Sequence, residues 1–363
     1  MSMSPEDPRD PDSEDSKTPM EPSILEPYVP LQHAPMQLRV SSSILCLVSS
    51  VFEAMLSGNM SEGVAFRAPD SPRPFPLMLP DDDGPLFRIF ASAVHHRADA
   101  APYLPSTATL LALAALVDKY NCMTALMPYA VLWLQRAAEK AAEEEDEHRE
   151  FERKCGLLLF AYALDLPMQF AQLSWDVLLM HRGALIDETD VRGLRLPIPA
   201  DHELLRHDLH GELARRKSRL RREVHAALME PVNRVTSMLD TNLQFELRGR
   251  NRTCPKAATA IGNYMAMLDV LNLSPWRPQY ETDSFAAIIK RATSLIKEWG
   301  STTYFDVCTQ MCICDNEGYK GSVDVSKEMA IRIKAAGEWK LWACLDCLKK
   351  KGEDKANCRL KHW

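Results

Sequence analysis

Long apolar runs are missing from this sequence. No stretch of eighteen apolar residues occurs in its 363 positions, so nothing in it reads as a membrane span. The best apolar stretches, Leu110–Val117 and Leu157–Leu166, have the length of ordinary core segments. Positive charge is not in excess either: 43 Lys and Arg stand against 50 Asp and Glu, a net charge of -7. That balance argues against a general binder of nucleic acid. A secretory leader pattern is also lacking, because residues 1–24 are polar, acidic and proline-rich. Ten cysteines in a chain of this length are too sparse for a secreted disulfide scaffold. The expected compartment is a reducing one, cytoplasm or nucleus. Phosphate loops, dinucleotide fingerprints, serine elbows and deaminase motifs do not occur. No nucleophile, base and orienting group stand at an interpretable spacing, so the chain is read as a non-enzyme.

What is present is a globular composition, 46% hydrophobic and 26% charged, with enough residues for two or three cores. An acidic tail cannot bury enough to offset its ordering entropy, and residues 1–35 are expected to be disordered. Leu38–Val40 and Phe75–Leu79 suggest short strands, on either side of one helix over Ser43–Met55 and a proline-rich insert at 65–76. Helices are predicted at Leu86–Val94, after Ser106, and from Ala125 to Leu134, each on an apolar stripe of three- and four-residue spacing. The charged stretch 136–154 reads as a solvated helix or linker. Buried helix returns at 155–181, interrupted at Pro167. Further helices are expected at 202–230 and Phe285–Trp299.

The run Val40–Leu56 with Gly58 and Glu62-Gly63, then Leu77-Met-Leu-Pro-Asp81-Asp82-Asp83 with Phe87 and His95, then Leu110–Cys122, resembles the fungal BTB/POZ group. The resemblance covers about residues 38–135. It implies an α+β interaction domain that performs no chemistry, forms dimers or recruits partners, and often engages a cullin-type ubiquitin ligase scaffold. On this reading the chain comprises a tail (1–35), a BTB/POZ-like domain (36–140), a mainly α-helical extension (141–300) and a small cysteine-rich element (301–363).

Several residues invite chemistry and have plainer explanations. Cys122 and Tyr120 fit a core. His207 and His210, three apart, share a helical face and with Glu203 make a weak metal candidate; ordinary surface histidines are the default. Arg215–Arg222 is the strongest basic run. Its predicted helix spreads the charges over several faces, with Glu212 and Glu223 available as partners; a nuclear address or phosphate contact is the alternative. Asp315–Gly318 lacks the spacing of a calcium loop and reads as a turn between strands.

Six of the ten cysteines fall after residue 300. Cys344-X-X-Cys347 can turn two thiolates onto one ion, and Cys312-X-Cys314 in an extended strand can offer two more. Cys308, Cys358 and His362 complete a second site or replace one of the four. Thiolate and imidazole at such spacings suit zinc in a closed, structural role. Reduced cysteines packed around Trp339 and Trp342 are the bland alternative. The expected function is a protein-interaction module or adaptor, whose partner is a second copy of itself, a cullin-type scaffold or another protein. The alternative is a zinc-stabilised nucleic-acid-binding or transcription-related regulator using the basic helix 215–222.

Overall fold

The computed structural model describes residues 36–97, 104–183, 196–245, 255–299, 305–308, 320–323, 342–350 and 358–361. Among these described residues twelve helices run in order to residue 299: α1 (Ser42–Val48), α2 (Ser50–Ser57), α3 (Ser61–Arg67), α4 (Gly84–Val94), α5 (Thr107–Tyr120), α6 (Met123–Ala142), α7 (Glu147–Ala163), α8 (Pro167–Met180), α9 (Leu209–Phe245), α10 (Pro255–Val270), α11 (Pro278–Thr282) and α12 (Phe285–Trp299). A short antiparallel ribbon follows, β1 (Phe305–Cys308) with β2 (Lys320–Val323), pairing Phe305 with Val323 and Cys308 with Lys320. A single turn of helix, α13 (Leu345–Lys349), closes the described chain. No helix of the described residues is long and apolar enough to cross a membrane.

The α+β BTB/POZ-like fold expected for residues 36–140 is therefore overturned: its described residues are helical and carry no strand. Leu38–Val40 and Phe75–Leu79 form neither strand nor helix. Pro72, Pro74, Pro76 and Pro80 withhold the N–H groups a ladder needs. The single helix expected at Ser43–Met55 is two. Ser49 adopts an extended conformation between them (φ -140°, ψ 116°) and its hydroxyl caps α2 by accepting from the Phe52 N–H. The same hydroxyl donates to the Tyr120 carbonyl at 2.5 Å. A competing side-chain bond of this kind is what breaks a helix at serine.

The other starts follow local chemistry. Asp83 and Ser106 cap α4 and α5 through hydrogen bonds to Leu86 N and Thr109 N. Asp146 caps α7 within the acidic stretch, so that stretch is the end of one helix and the start of the next. Pro167 opens α8 at the first helical position, where its missing N–H costs nothing. The helix expected from residue 202 begins at Leu209 and runs on to Phe245.

Two apolar clusters hold these helices. In the first, α7 is central: Phe151, Cys155 and every residue from Leu157 to Tyr162 are buried, as befits a helix covered on all sides. It contacts α5, α6 and α8. At the N-terminal end Phe52 stacks on Tyr120 at 4.4 Å, and Phe87 meets both rings edge-on. The second cluster joins Leu220, Val224, Ala227 and Leu228 of α9 to Tyr264 and Leu268 of α10, Leu273, Tyr280, and Phe285, Ile288 and Ala292 of α12. Trp175 of α8 touches both. Ala343, Leu345 and Leu348 belong to the first cluster, so the cysteine-bearing turn is part of the main body.

Candidate metal centre

The chain after Trp342 is fastened to α7–α9 before any ion is considered. The buried Ser174 hydroxyl of α8 accepts the Ala343 N–H at 2.8 Å. The Trp342 carbonyl accepts from Arg216 of α9 at 2.5 Å. Asp165, in the left-handed conformation of the α7–α8 turn (φ 54°), accepts from Lys349 at 2.8 Å and from Arg359 at 2.7 Å. Arg359 also holds Asp346 through its guanidinium, and its backbone N–H donates to the same carboxylate at 2.7 Å. This lattice brings residues 358–361 against α13.

It also brings three sulfurs together. Cys344 caps α13 in an extended conformation and Cys347 lies one turn on, so both thiols face one side. Cys358 approaches from the returning chain, its Sγ 3.5 Å from that of Cys344. The three Sγ atoms all lie within 4.8 Å of one another. Thiolates around a tetrahedral ion with bonds near 2.3 Å stand about 3.8 Å apart. The cluster has that scale, and three free thiols so placed can hold a metal ion.

The electrostatics fit the same use. Burial pushes the Cys344 thiol up, and burial with the hydrogen bond to Cys344 pushes Cys347 up to about 12. Burial opposes charge on Cys358 too, but the Leu360 N–H, the Cys344 thiol and the Lys361 N–H outweigh it and bring that thiol below its usual range. One sulfur is prepared for charge, and its neighbours resist becoming a second and third anion. A divalent cation removes that resistance, which is why thiolate sites bind metal with release of protons.

Of the seven expected ligands, Cys344, Cys347 and Cys358 converge. Cys312, Cys314 and His362 lie outside the described residues. Cys308 sits at the end of β1, where only the backbone is described. Spacing alone paired Cys344-X-X-Cys347 with Cys312-X-Cys314; the fold places Cys358 beside it. Asp165, Ser174, Asp346 and Arg359, which position the cluster, were not singled out from sequence. Asp346 inside the CXXC and Arg359 next to Cys358 were the available signals.

The remaining candidates are engaged elsewhere. His207 Nδ1 meets the Tyr162 hydroxyl at 2.7 Å, and His210 Nε2 meets the Ile198 carbonyl at 2.9 Å. His95 accepts the Ser41 N–H at Nε2 while Nδ1–H donates to Ala91 O, which fixes its tautomer. Burial pushes the Cys122 thiol up to about 12, far from a nucleophile. An open groove of about 630 Å³ runs past Cys347 and is lined by Arg206, His207, Asp208, Glu212 and Arg215. Arg206 pairs with Asp118 and Arg215 with Glu212. No protein-family model, curated protein or solved structure matches the chain.

Proposed function

We propose that this chain is a protein-interaction module without chemistry of its own, whose C-terminal turn is secured by a structural zinc ion on Cys344, Cys347 and Cys358. His362, four residues after Cys358, or one of Cys308, Cys312 and Cys314 supplies the fourth ligand. The free thiols suit a reducing cytoplasm or nucleus.

The observation that carries the interaction reading is the exposure of large apolar side chains on and beside the first three helices. Leu47 is 84% exposed and Met78 79%, with Val64, Met60 and Met36 also open. Met60 and Val64 stand one turn apart at the start of α3. Methionine and aliphatic side chains in this setting make an adaptable contact surface. The partner is another protein. The basic run of α9 lends less to a nucleic-acid reading, because Arg215 and Arg216 pair with Glu212 and Lys217 is buried.

The test is mass spectrometry of material co-purified at gentle salt with the native chain and with a Leu47→Glu, Val64→Glu, Met78→Glu variant. A partner retained by the first and lost by the second supports the reading, and a second copy of the chain counts as a partner. A strictly monomeric native protein that retains nothing overturns it.

A further inference from the structure

The three sulfurs of the cluster differ in access. Cys344 is fully buried and Cys358 is 3% exposed, whereas Cys347 is half-buried and lines the open groove beside Arg206, His207 and Glu212. A small polar molecule that reaches the cluster along this groove meets Cys347 first, and access is one of the two conditions for a reactive thiol. Behind it stand two more sulfurs, all three lying within 4.8 Å of one another. A disulfide needs its sulfurs at about 2 Å, a closure that side-chain rotation supplies from so near a start.

The turn that carries these sulfurs is held in place by other groups. Ser174 holds the Ala343 N–H, Asp165 holds Lys349 and Arg359, and Asp346 holds Arg359. The sulfurs can therefore change their bonding while α13 and residues 358–361 stay docked. A cluster that keeps its place without its own ligand bonds can be oxidised and reduced again.

We propose that Cys347 is an oxidation site for hydrogen peroxide, and that its reaction turns the cluster from a metal-holding trio of thiols into a disulfide that lets the metal go. The release rests on the zinc reading above; the oxidation does not. The Cys347 sulfur attacks one peroxide oxygen: an S–O bond forms, the O–O bond breaks, and the thiol proton leaves with the other oxygen as water. The sulfur of Cys344 or Cys358 then attacks Cys347: an S–S bond forms, the S–O bond breaks, and a second water leaves. Each of the two sulfurs loses one electron, and the peroxide takes both. The bridge withdraws two of the three ligands, so an ion held there is released. A thiol reductant reverses the bridge by exchange.

The test treats the full chain with hydrogen peroxide, both as purified and after chelation, and follows intact mass, disulfide mapping and a zinc-sensitive dye. The expected result in both samples is a loss of about 2 Da and a bridge that includes Cys347. The chain as purified also gives up its zinc, and a thiol reductant restores the starting state. Cys347→Ser, checked for its fold by dichroism, bridges the remaining pair at least about ten-fold more slowly. Cys46→Ser, at a half-buried thiol of α1 outside the cluster, leaves the rate unaltered. A chain that holds zinc but forms no bridge, a Cys347 carried to sulfinic acid without one, or a Cys347→Ser variant that bridges as fast as the native chain overturns the proposal. A chain that holds no zinc yet forms the bridge overturns the zinc reading and upholds the oxidation site.

Discussion

Asp165 and Arg359 stand 194 positions apart and are joined by an ion pair of 2.7 Å. Asp165 also receives Lys349, so one carboxylate ties both strands of the cysteine loop to the turn between α7 and α8. Asp165→Asn keeps a residue suited to the left-handed backbone there and removes only the charge. The expected loss is about 1 kcal/mol, the scale of a half-exposed pair. Hydrogen exchange should quicken first at residues 343–348, and unchanged exchange there would remove Asp165 from this role.

The same carboxylate sets an acid limit. Burial raises it, but the hydrogen bonds from Arg359 and Lys349 outweigh burial and hold it below the usual carboxylate range. A folded value depressed below the unfolded one gives stability that is present above about pH 4 and lost as pH falls through the folded value. Acid titration followed by exchange at residues 343–348 should therefore show a transition below pH 4 that Asp165→Asn reduces.

Zinc content is the direct check on the cysteine cluster. Purified protein should carry zinc, and Cys344→Ser, Cys347→Ser and Cys358→Ser should each release it to a mild chelator. Removal should loosen α13 while far-ultraviolet dichroism changes little, because α1–α8 have their own core. Metal-free protein from zinc-rich medium, or full retention in the Cys358→Ser variant, would refute the assignment.

Lys217 predicts a second rise of stability with pH, on the alkaline side. The residue is 4% exposed, and its ammonium donates to the His181 and Gly183 carbonyls and to His181 Nδ1. Burial, with Arg221 adding, brings it down to about 7 despite those acceptors. Below that value both folded and unfolded chains hold the proton and the burial cost is complete. Between about 7 and 10.5 only the unfolded chain holds it, so stability rises with pH. Lys217→Met should raise stability by about 1–3 kcal/mol at pH 6, and urea midpoints should show the gap narrowing toward pH 10.

The aromatic corner at α2 and α5 carries the N-terminal helices. Phe52 is fully buried against Tyr120 and Phe87. Phe52→Ala should cost about 3–5 kcal/mol, read as a shift in urea midpoint, and a cost under 1 kcal/mol would mean that α1–α3 pack loosely.

Helices were legible wherever an apolar stripe met a capping residue, as with Ser106 before Leu110, or a proline at a boundary, as with Pro167. The strands were misread because short apolar runs such as Phe75–Leu79 carry no period of their own, and a sheet needs partners that a single run cannot reveal. The break at Ser49 depended on Tyr120, 71 positions away, which no local pattern records. Cys344-X-X-Cys347 announced a ligand pair, but its companion was chosen by the salt links of Asp165, Asp346 and Arg359, which act across the fold.

The slot that receives Ala343, Leu345 and Leu348 is built from helices synthesised well over a hundred residues earlier. During translation those helices emerge with an uncovered apolar furrow, and the Ser174 hydroxyl awaits its amide. A chain stopped short of Ala343 would leave this furrow open to chaperones and proteases.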